Sequence, residues 1–256
     1  MPQRQVKGNQ RRFQHFHFMV ALEYSAGTME KQIFTWLGRE FVQLSGEGRH
    51  GASEGDATNE LFQRFEGELK IHGLSLENAV RVRVWGRDKN ARTLATAARS
   101  KILTGDKRAA SSSFISQEWF DSQATAGLEL LAMRPLDAAA ARKPVDFEPA
   151  RNYLYFLDFD EVIFFSGFTS EAAAFEQQVS EVLKTYDHAI ARAQTDWNKV
   201  MKLSVLLQRG CDMAVVKRAL AQARLRQAAQ VEFSFVDGFA GDKYLLEIEA
   251  TALKGH

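Results

Sequence analysis

The chain of 256 residues has one cysteine, Cys211, so no disulfide can form within it. A free thiol is typical of a reducing compartment, and we therefore expect a cytoplasmic protein. Long hydrophobic runs are also missing. No apolar stretch approaches the roughly 20 residues that cross a bilayer, so no membrane partner is predicted. The formal net charge is only +1, which excludes a strong global attraction to nucleic acid, and RNA is not an expected partner.

The sequence also lacks the ligand spacing of a metal or cofactor site. His15 and His17 would share one face of a predicted strand, but no spaced histidine, cysteine or aspartate completes a ligand set. The glycine-rich residues 45–51 have neither the Lys-Ser/Thr pair of a phosphate-binding loop nor a dinucleotide fingerprint. They are interpreted as a turn after a strand. No metal and no cofactor are therefore predicted.

Only four prolines are present, and three of them lie at Pro135, Pro144 and Pro149. Proline lacks an N–H and fixes φ, so this stretch cannot be a central strand. It predicts a linker over residues 135–150, and the alanine run inside it predicts one turn of helix. Four basic residues at the start of the chain predict a solvated basic tail over residues 1–12.

What the sequence does contain is an internal repeat. When residues 40–130 are shifted by 121 positions, Ser45-Gly46 falls on Ser166-Gly167, and the hydrophobic signals on either side follow in the same order. A repeat of this length indicates a duplicated domain rather than a solenoid unit. The repeat predicts one domain over residues 13–134 and a second over residues 151–256.

Hydrophobic periodicity predicts the order ββαβαββ in each copy. The predicted helices cover residues 57–72 and 91–103 in copy one, and 172–193 and 213–224 in copy two. Strands are predicted at 13–18, 41–44, 80–85, 111–115 and 126–133 in copy one, and at 152–157, 161–166, 200–207, 229–236 and 243–252 in copy two. Helices long enough to cover one face of a sheet indicate an α+β layer structure.

At this point the sequence resembles the Rid/YjgF family of reactive-intermediate deaminases. Ser166-Gly167 stands where the family has Ser-Gly-Gln, residues 197–205 resemble its helix-to-strand segment, and LEIEATA at 246–252 is similar to its closing strand IEIEAIA. The resemblance implies two tandem chorismate-mutase-like domains with helices on one sheet face. It also implies a homo-oligomer, a trimer of tandem chains, with ligand pockets between domains.

The resemblance implies a deaminase activity, but this sequence lacks the arginine on which that activity depends. The family's deaminases hydrolyse enamines and imines such as 2-aminoacrylate, and an arginine holds the substrate carboxylate bidentately. Aligned by sequence, Ala110 and Ala228 occupy that arginine position in the two copies. We therefore do not expect this chain to hydrolyse 2-aminoacrylate at a useful rate.

Candidate site residues follow from the resemblance and from strand geometry. The family's closing-strand glutamate is present only in copy two, as Glu247, which we predict to be the catalytic acid/base. Glu247 shares a strand face with Glu249, and partial burial there would raise the pKa of Glu247 towards neutrality. The residues predicted to bind the substrate are Arg108, Arg226, Ser166, Gly167 and Lys217.

Arg108 and Arg226 are chosen because each lies two positions before the aligned alanine, on the same strand face and about 7 Å away. They are either a displaced anion clamp or solvated arginines at a strand entry. The function predicted is that of a small-molecule enzyme acting on an unsaturated or imine/enamine-type carboxylic acid. The alternatives are a non-catalytic metabolite-binding or assembly module and a chorismatase-like hydrolase.

Overall fold

The computed structural model describes residues 29–223 and 229–255. Copy one has the order ββαβαββ that the periodicity predicts. Its elements are β1 (Met29–Trp36), β2 (Arg39–Glu47), α1 (Glu54–Ile71), β3 (Ala79–Gly86), α2 (Lys89–Ile102), β4 (Ala110–Ile115) and β5 (Ala126–Met133). The predicted strand at 13–18 lies outside the described residues, and β1 is a strand that the sequence interpretation did not assign.

Copy two repeats this order after one additional strand. Its elements are β6 (Arg142–Asp146), β7 (Leu154–Phe159), β8 (Val162–Phe168), α3 (Phe175–Arg192), β9 (Val200–Gln208), α4 (Met213–Gln222), β10 (Gln230–Val236) and β11 (Leu246–Leu253). The two helices and five of the strands match the predicted elements closely, which confirms the duplicated α+β architecture.

The two sheets have the same topology. Copy one runs β1-β2-β5-β3-β4, and copy two runs β7-β8-β11-β9-β10 with β6 added beyond β7. In both sheets one edge pair is parallel, β3 with β4 and β9 with β10, and the other pairs are antiparallel. Trp85 pairs with Gly127 as Leu206 pairs with Glu247, so the register confirms that Glu247 occupies the place of Gly127.

The register corrects one part of the sequence alignment. Ala110 pairs with Arg81, and the equivalent pair in copy two is Gln230 with Lys202. Gln230, and not Ala228, therefore stands in the position of Ala110. Ala228 itself lies outside the described residues. The segment between the second helix and this strand is seven residues long in both copies, residues 103–109 and 223–229, so the offset there is 120 positions and the 118 used to align the sequences was two too few.

Each sheet buries one face under its own two helices. The residues that build these cores alternate along the strands, as expected for a sheet with a covered face. In copy one Leu128 and Leu130 of β5 pack against Leu61 and Phe65 of α1. In copy two the core includes Leu246, Ile248, Val182 and Tyr186.

The opposite faces of the two sheets pack against each other within the chain. A shared apolar cluster joins copy one to copy two; its buried members are Phe41, Val80, Ala110, Met133, Leu154, Leu157, Phe159, Val162 and Phe164. A second shared cluster joins Trp85 and Phe114 of copy one to Leu206 and Val236 of copy two. The copies therefore form one packed unit in which residues of both can contribute to a site.

The proline-containing segment is more ordered than a plain linker. Its residues 142–146 form β6, which pairs with β7 at the edge of the second sheet, and Pro144 lies inside it. An edge position is compatible with proline, because no further strand needs its missing N–H. The predicted helical turn over the alanines is wrong: they form a turn closed by the Ala140 N–H donating to the Asp137 carbonyl.

In the residues that the structure describes, no helix has the length and apolarity to span a membrane.

Candidate functional site

Glu247 lies on β11, on the strand face that points toward copy one, and only 6% of its surface is exposed. Ser166 and Gly167 of β8 lie beside it. A Cβ built on Gly167 would stand 1.8 Å from Oε1 of Glu247, far inside van der Waals contact. The carboxyl group therefore occupies the space that any larger residue at position 167 would fill. Three of the residues that the sequence proposed are brought together here.

Copy one supplies the other wall through the outer edge of β4. Alternate N–H groups of an edge strand point away from the sheet. The Ser111 N–H donates to Ser166 Oγ at 3.0 Å, and the Ile115 N–H donates to the Gly238 carbonyl at 2.8 Å. Between them, the Ser113 N–H donates to the carboxyl group of Glu247. The site consequently lies at the junction of the copies.

The helix α2 of copy one places three polar residues over this junction. Arg92, Thr96 and Arg99 are spaced by four and three positions, so they share one helix face. The Arg92 guanidinium donates to Ser113 Oγ. Its Nε and the Thr96 Oγ1 are buried and have no hydrogen-bond partner in the described part of the chain. Arg92 and Arg99 were not among the residues that the sequence proposed.

The carboxyl group of Glu247 is held in its neutral form. Burial has the largest effect and raises its pKa, and the nearby charge of Glu249 raises it further. The charges of Arg92 and Arg83 and the Ser113 hydrogen bond oppose this, and the resulting pKa is about 8. At neutral pH Glu247 is therefore mainly a carboxylic acid that can donate a proton.

The two α2 arginines make this junction electropositive. Burial lowers the pKa of Arg92, and burial together with the charge of Arg92 lowers the pKa of Arg99 to about 10. Both guanidinium groups still carry their charge at neutral pH. Among residues 29–223 and 229–255, neither has a salt bridge to a carboxylate. A buried cation without a partner is costly, so this arrangement favours an anionic ligand.

Glu249, two residues along the same strand face, has the opposite environment. Its carboxylate forms salt bridges with Arg83 at 2.6 Å and with Arg81 at 2.9 Å, and it accepts a hydrogen bond from Ser112. Burial alone would raise its pKa, but the arginine charges outweigh burial and lower it to about 2. Because its partners lie in copy one, Glu249 fastens the copies together.

An aromatic cluster lies in the core of copy two, on the sheet face opposite Glu247. Phe168, which follows Gly167, lies 5.2 Å from Tyr155 and 6.0 Å from Phe147 between ring centroids. Tyr153 adds an edge-on contact to Phe147 at 5.0 Å. The phenol of Tyr153 also interacts electrostatically with Arg99.

The remaining predicted residues lie elsewhere. Arg108 forms a salt bridge with Asp146 of β6, and it stands five strand positions, about 16 Å, from Ser113. Lys217 of α4 lies over the ring of Phe233, 5.5 Å from its centroid. Arg226 is outside the described residues. Arg92 and Arg99 are the α2 arginines at the junction with Glu247.

A search for metal sites finds no group of three or more histidine, cysteine, aspartate or glutamate side chains suited to hold a metal, within residues 29–223 and 229–255.

Comparisons with known proteins give matches only among solved structures. No protein-family model matches the chain, and no curated protein does. A chorismatase is 16% identical, with a TM-score of 0.57, and the match covers 86% of this chain and 79% of that one. Rv2704 of Mycobacterium tuberculosis, a YjgF/YER057c/UK114 family member, is 21% identical over 44% of this chain and 99% of its own, with a TM-score of 0.39. YEO7 of yeast is 16% identical over 45% of this chain and 100% of its own, with a TM-score of 0.41.

The chain therefore shares its fold with chorismatase over most of its length. Its two α+β copies have the same strand order and form a tandem of two domains.

Proposed function

We propose that the protein is an enzyme that hydrolyses an unsaturated carboxylic acid of the enol-ether or enamine type, with Glu247 as the proton donor. The observation that carries this proposal is a buried, neutral glutamic acid beside an arginine that has no carboxylate partner in the described chain. A proton donor and an anion-binding group at one buried junction are the two elements that such a reaction needs.

Arg92 is proposed to bind the substrate carboxylate. Its guanidinium already donates to Ser113 Oγ, which fixes one edge of the group, while its buried Nε lacks an acceptor in the described chain. A carboxylate would accept from the available N–H groups in the geometry that guanidinium favours. This places the acid group of the substrate next to Glu247, because Ser113 contacts both side chains.

The reaction follows from a neutral Glu247. Its O–H donates a proton to the terminal carbon of the substrate double bond, and the π electrons form the new C–H bond. Positive charge then develops on the carbon that carries nitrogen or oxygen. Water attacks this carbon and gives up a proton to the Glu247 carboxylate. The tetrahedral adduct transfers its hydroxyl proton to the nitrogen or oxygen as the C–N or C–O bond breaks, releasing an amine or an alcohol and a 2-oxo acid.

The environment of Glu247 suits both halves of this cycle. After proton donation, the carboxylate is stabilised by the Ser113 N–H and by the charge of Arg92. A pKa near the working pH allows the same group to give and then recover a proton without a large free-energy cost.

The similarity to chorismatase supports one specific form of the proposal. Chorismate is an enol-ether carboxylic acid, so a chorismatase-like hydrolase would use the same proton donation. This makes chorismate the first substrate to test. The alternative is a non-catalytic module, in which the same junction binds a metabolite without turnover.

Turnover in D₂O tests the proposal. Chorismate, and 2-aminoacrylate generated in situ, are incubated with the wild-type protein, with Glu247→Gln and with the control Glu66→Gln on the exposed side of α1. Mass spectrometry then measures deuterium at the product methyl group. Deuterated 2-oxo acid from the wild type and the control, but not from Glu247→Gln, is expected for chorismate. Equal turnover by Glu247→Gln would refute the assignment, and anion binding without turnover of any enol-ether or enamine acid would favour the non-catalytic module.

A further inference from the structure

Resting on the proposed function, we propose that Gln178 and Tyr186 of α3 are positioning residues for the proton transfer, because they hold a β-bulge that makes room for the Glu247 carboxyl group. Both side chains lie on the helix side of the second sheet and bind its backbone, so neither would touch the substrate. The proposal concerns how the acid is placed, and not which acids the site binds.

The closing strand pairs differently in the two copies. In copy one, β2 and β5 pair residue for residue along the whole ladder. In copy two, the Phe165–Ala250 and Phe168–Ile248 pairs enclose two residues of β8 and only one of β11. Two residues opposite one define a β-bulge, and bulges re-aim side chains beside functional sites. The bulged residues of β8 are the pair Ser166-Gly167.

The bulge brings Gly167 to the sheet face on which Glu247 lies. Ser166 points toward copy one, because its Oγ accepts from the Ser111 N–H. In a regular strand the next residue would point to the opposite face, toward the helices. A Cβ on Gly167 would nevertheless stand 1.8 Å from Oε1 of Glu247. The bulge and the glycine together therefore provide the space that the carboxyl group occupies.

Tyr186 binds the backbone on both sides of this bulge. A bulge disrupts the ladder, so the buried backbone there needs other hydrogen-bond partners. The fully buried Tyr186 hydroxyl donates to the Ile248 carbonyl at 2.7 Å, and its oxygen lies 3.5 Å from the Ser166 carbonyl oxygen. The phenol thus holds β8 and β11 together where their register shifts.

Gln178 holds the same strand on the other side of Glu247. Its buried side-chain oxygen accepts from the Leu245 N–H at 2.9 Å. Its side-chain nitrogen lies 2.7 Å from each of two carbonyl oxygens, those of Lys243 and Ala172, and donates to both. One amide therefore ties the start of β11 to the segment that follows β8.

Copy one has apolar residues at both helix positions. Helices α1 and α3 are each 18 residues long, and Ala57 and Phe65 stand where α3 has Gln178 and Tyr186. Buried amide and hydroxyl groups weaken a core unless they are hydrogen-bonded, so packing a helix on a sheet does not by itself require them. They occur in the copy that has the bulge and the acid, whereas the copy with Gly127 in place of the acid has a regular ladder.

Two variants on α3 test the proposal. Tyr186→Phe removes one hydroxyl and reproduces the copy-one residue, and Gln178→Met removes the amide while keeping an unbranched side chain. Gln177→Met, on the exposed side of the same turn, is the control. ¹³C NMR of the glutamate carboxyl groups, with the Glu247 signal identified by its absence in Glu247→Gln, gives the pH at which Glu247 ionises.

We expect each α3 variant to lower the pKa of Glu247 by at least about one pH unit, because a carboxyl group that leaves its buried place gains water. Glu249, Arg83 and Arg92, whose charges also act on Glu247, are unchanged in these variants. On a substrate that the wild type hydrolyses, kcat should fall at least about tenfold with KM within about twofold, since the carboxylate-binding arginine is intact. The control should match the wild type in both measurements.

The outcomes separate this proposal from the proposed function. If Glu247 of the wild type ionises near the ordinary glutamate pKa of 4.5, the proton donor is lost and both proposals fail. If the wild type ionises at about 8 and both variants ionise with it, the positioning role alone is overturned. A lower melting temperature without a change in ionisation also overturns it, since the role is then purely structural. Should Gln178→Met not fold by circular dichroism, Tyr186→Phe, which loses a single oxygen atom, provides the same readouts.

Discussion

Glu247 and Glu249 stand two residues apart on β11, and their neighbours drive their pKa values in opposite directions. Glu247 lies beside a cation but forms no salt bridge in the described chain, so burial dominates and its pKa is about 8. Glu249 lies between two arginines, so charge dominates and its pKa is about 2. One strand face thus carries a proton donor and a structural anion, separated by a single pleat repeat.

The first prediction concerns Glu247→Gln, which should abolish turnover and stabilise the fold at neutral pH. A raised folded-state pKa means that ionisation opposes folding. The cost is absent below the ordinary glutamate pKa of 4.5, grows as the pH rises, and is complete above about 8. Removing the titrating proton should therefore add on the order of 1–3 kcal/mol at pH 7 and lower activity by at least about 100-fold.

Urea unfolding of both proteins between pH 5 and 9 measures the stability difference. The free-energy gap between variant and wild type should widen with pH and then level off. A gap that is constant across this range would show that Glu247 does not titrate with a raised pKa.

Gly167→Ala is the second prediction. The new Cβ would lie 1.8 Å from the Glu247 carboxyl oxygen, so the acid must move away from Ser113. We expect an activity loss of at least about tenfold and destabilisation of about 1–3 kcal/mol. Gly55→Ala is the matched control, because its Cβ would meet nothing within 4 Å. Steady-state kinetics and thermal melts should separate the two variants, and equal behaviour would contradict a requirement for glycine at position 167.

At the scale of elements, the junction depends on strand β11 facing strands β3 and β4. Glu249→Gln would leave Arg81 and Arg83 buried with less compensating charge. The expected destabilisation is about 3–5 kcal/mol, since breaking one partner of a buried network leaves an unpaired charge. Calorimetric melting should record it, with Glu66→Gln on α1 as the surface control. A loss below about 0.5 kcal/mol would mean that the network does not fasten the copies.

The same network gives a pH dependence of the opposite sign to that of Glu247. The lowered pKa of Glu249 stabilises the fold above the ordinary glutamate pKa of 4.5, and this stability is lost as the pH falls towards 2. Acid unfolding of the wild type should therefore include a transition in that window, which Glu249→Gln should weaken. If the wild type and Glu249→Gln lose stability identically as the pH falls, the pKa of Glu249 is not lowered by its arginine partners.

Sequence alone predicted most elements and part of the candidate site, for identifiable reasons. The helix predicted at 57–72 forms at Glu54–Ile71, and it begins earlier because Ser53 caps its first turn by accepting from the Asp56 N–H. Glu247, Ser166 and Gly167 were found because they stand in recognisable motifs. Arg92 and Arg99 were missed because their partner is more than 140 residues away along the chain, and no local pattern encodes that contact. The one local signal is Arg99 in a stripe with the buried residues Ala91, Ala95 and Ala98.

At the scale of the whole molecule, β10 occupies in copy two the sheet-edge position that β4 occupies in copy one, where β4 docks against copy two. By register Val231 and Phe233 correspond to Ser111 and Ser113, and among the described residues β10 has no strand on its outer side. An open edge favours pairing with another chain. We therefore expect a homo-oligomer, with a trimer of tandem chains as the predicted form. Light scattering should give a multiple of the single-chain mass, and Val231→Pro should reduce it to one chain. A monomeric wild type at micromolar concentration would refute this expectation.

The junction at β4 also has a consequence for how this protein can change over time. In an assembly of identical subunits, a substitution in one subunit appears in every pocket. The proton-donating acid and the arginine that binds the substrate then change under the same constraints. Here the anchoring arginines belong to one copy and the acid to the other, so each gene half can drift alone. The copy-one position of the acid is already Gly127, pressed against Trp85. Under the proposed function, copy one would therefore bind the substrate and copy two would supply the reacting acid.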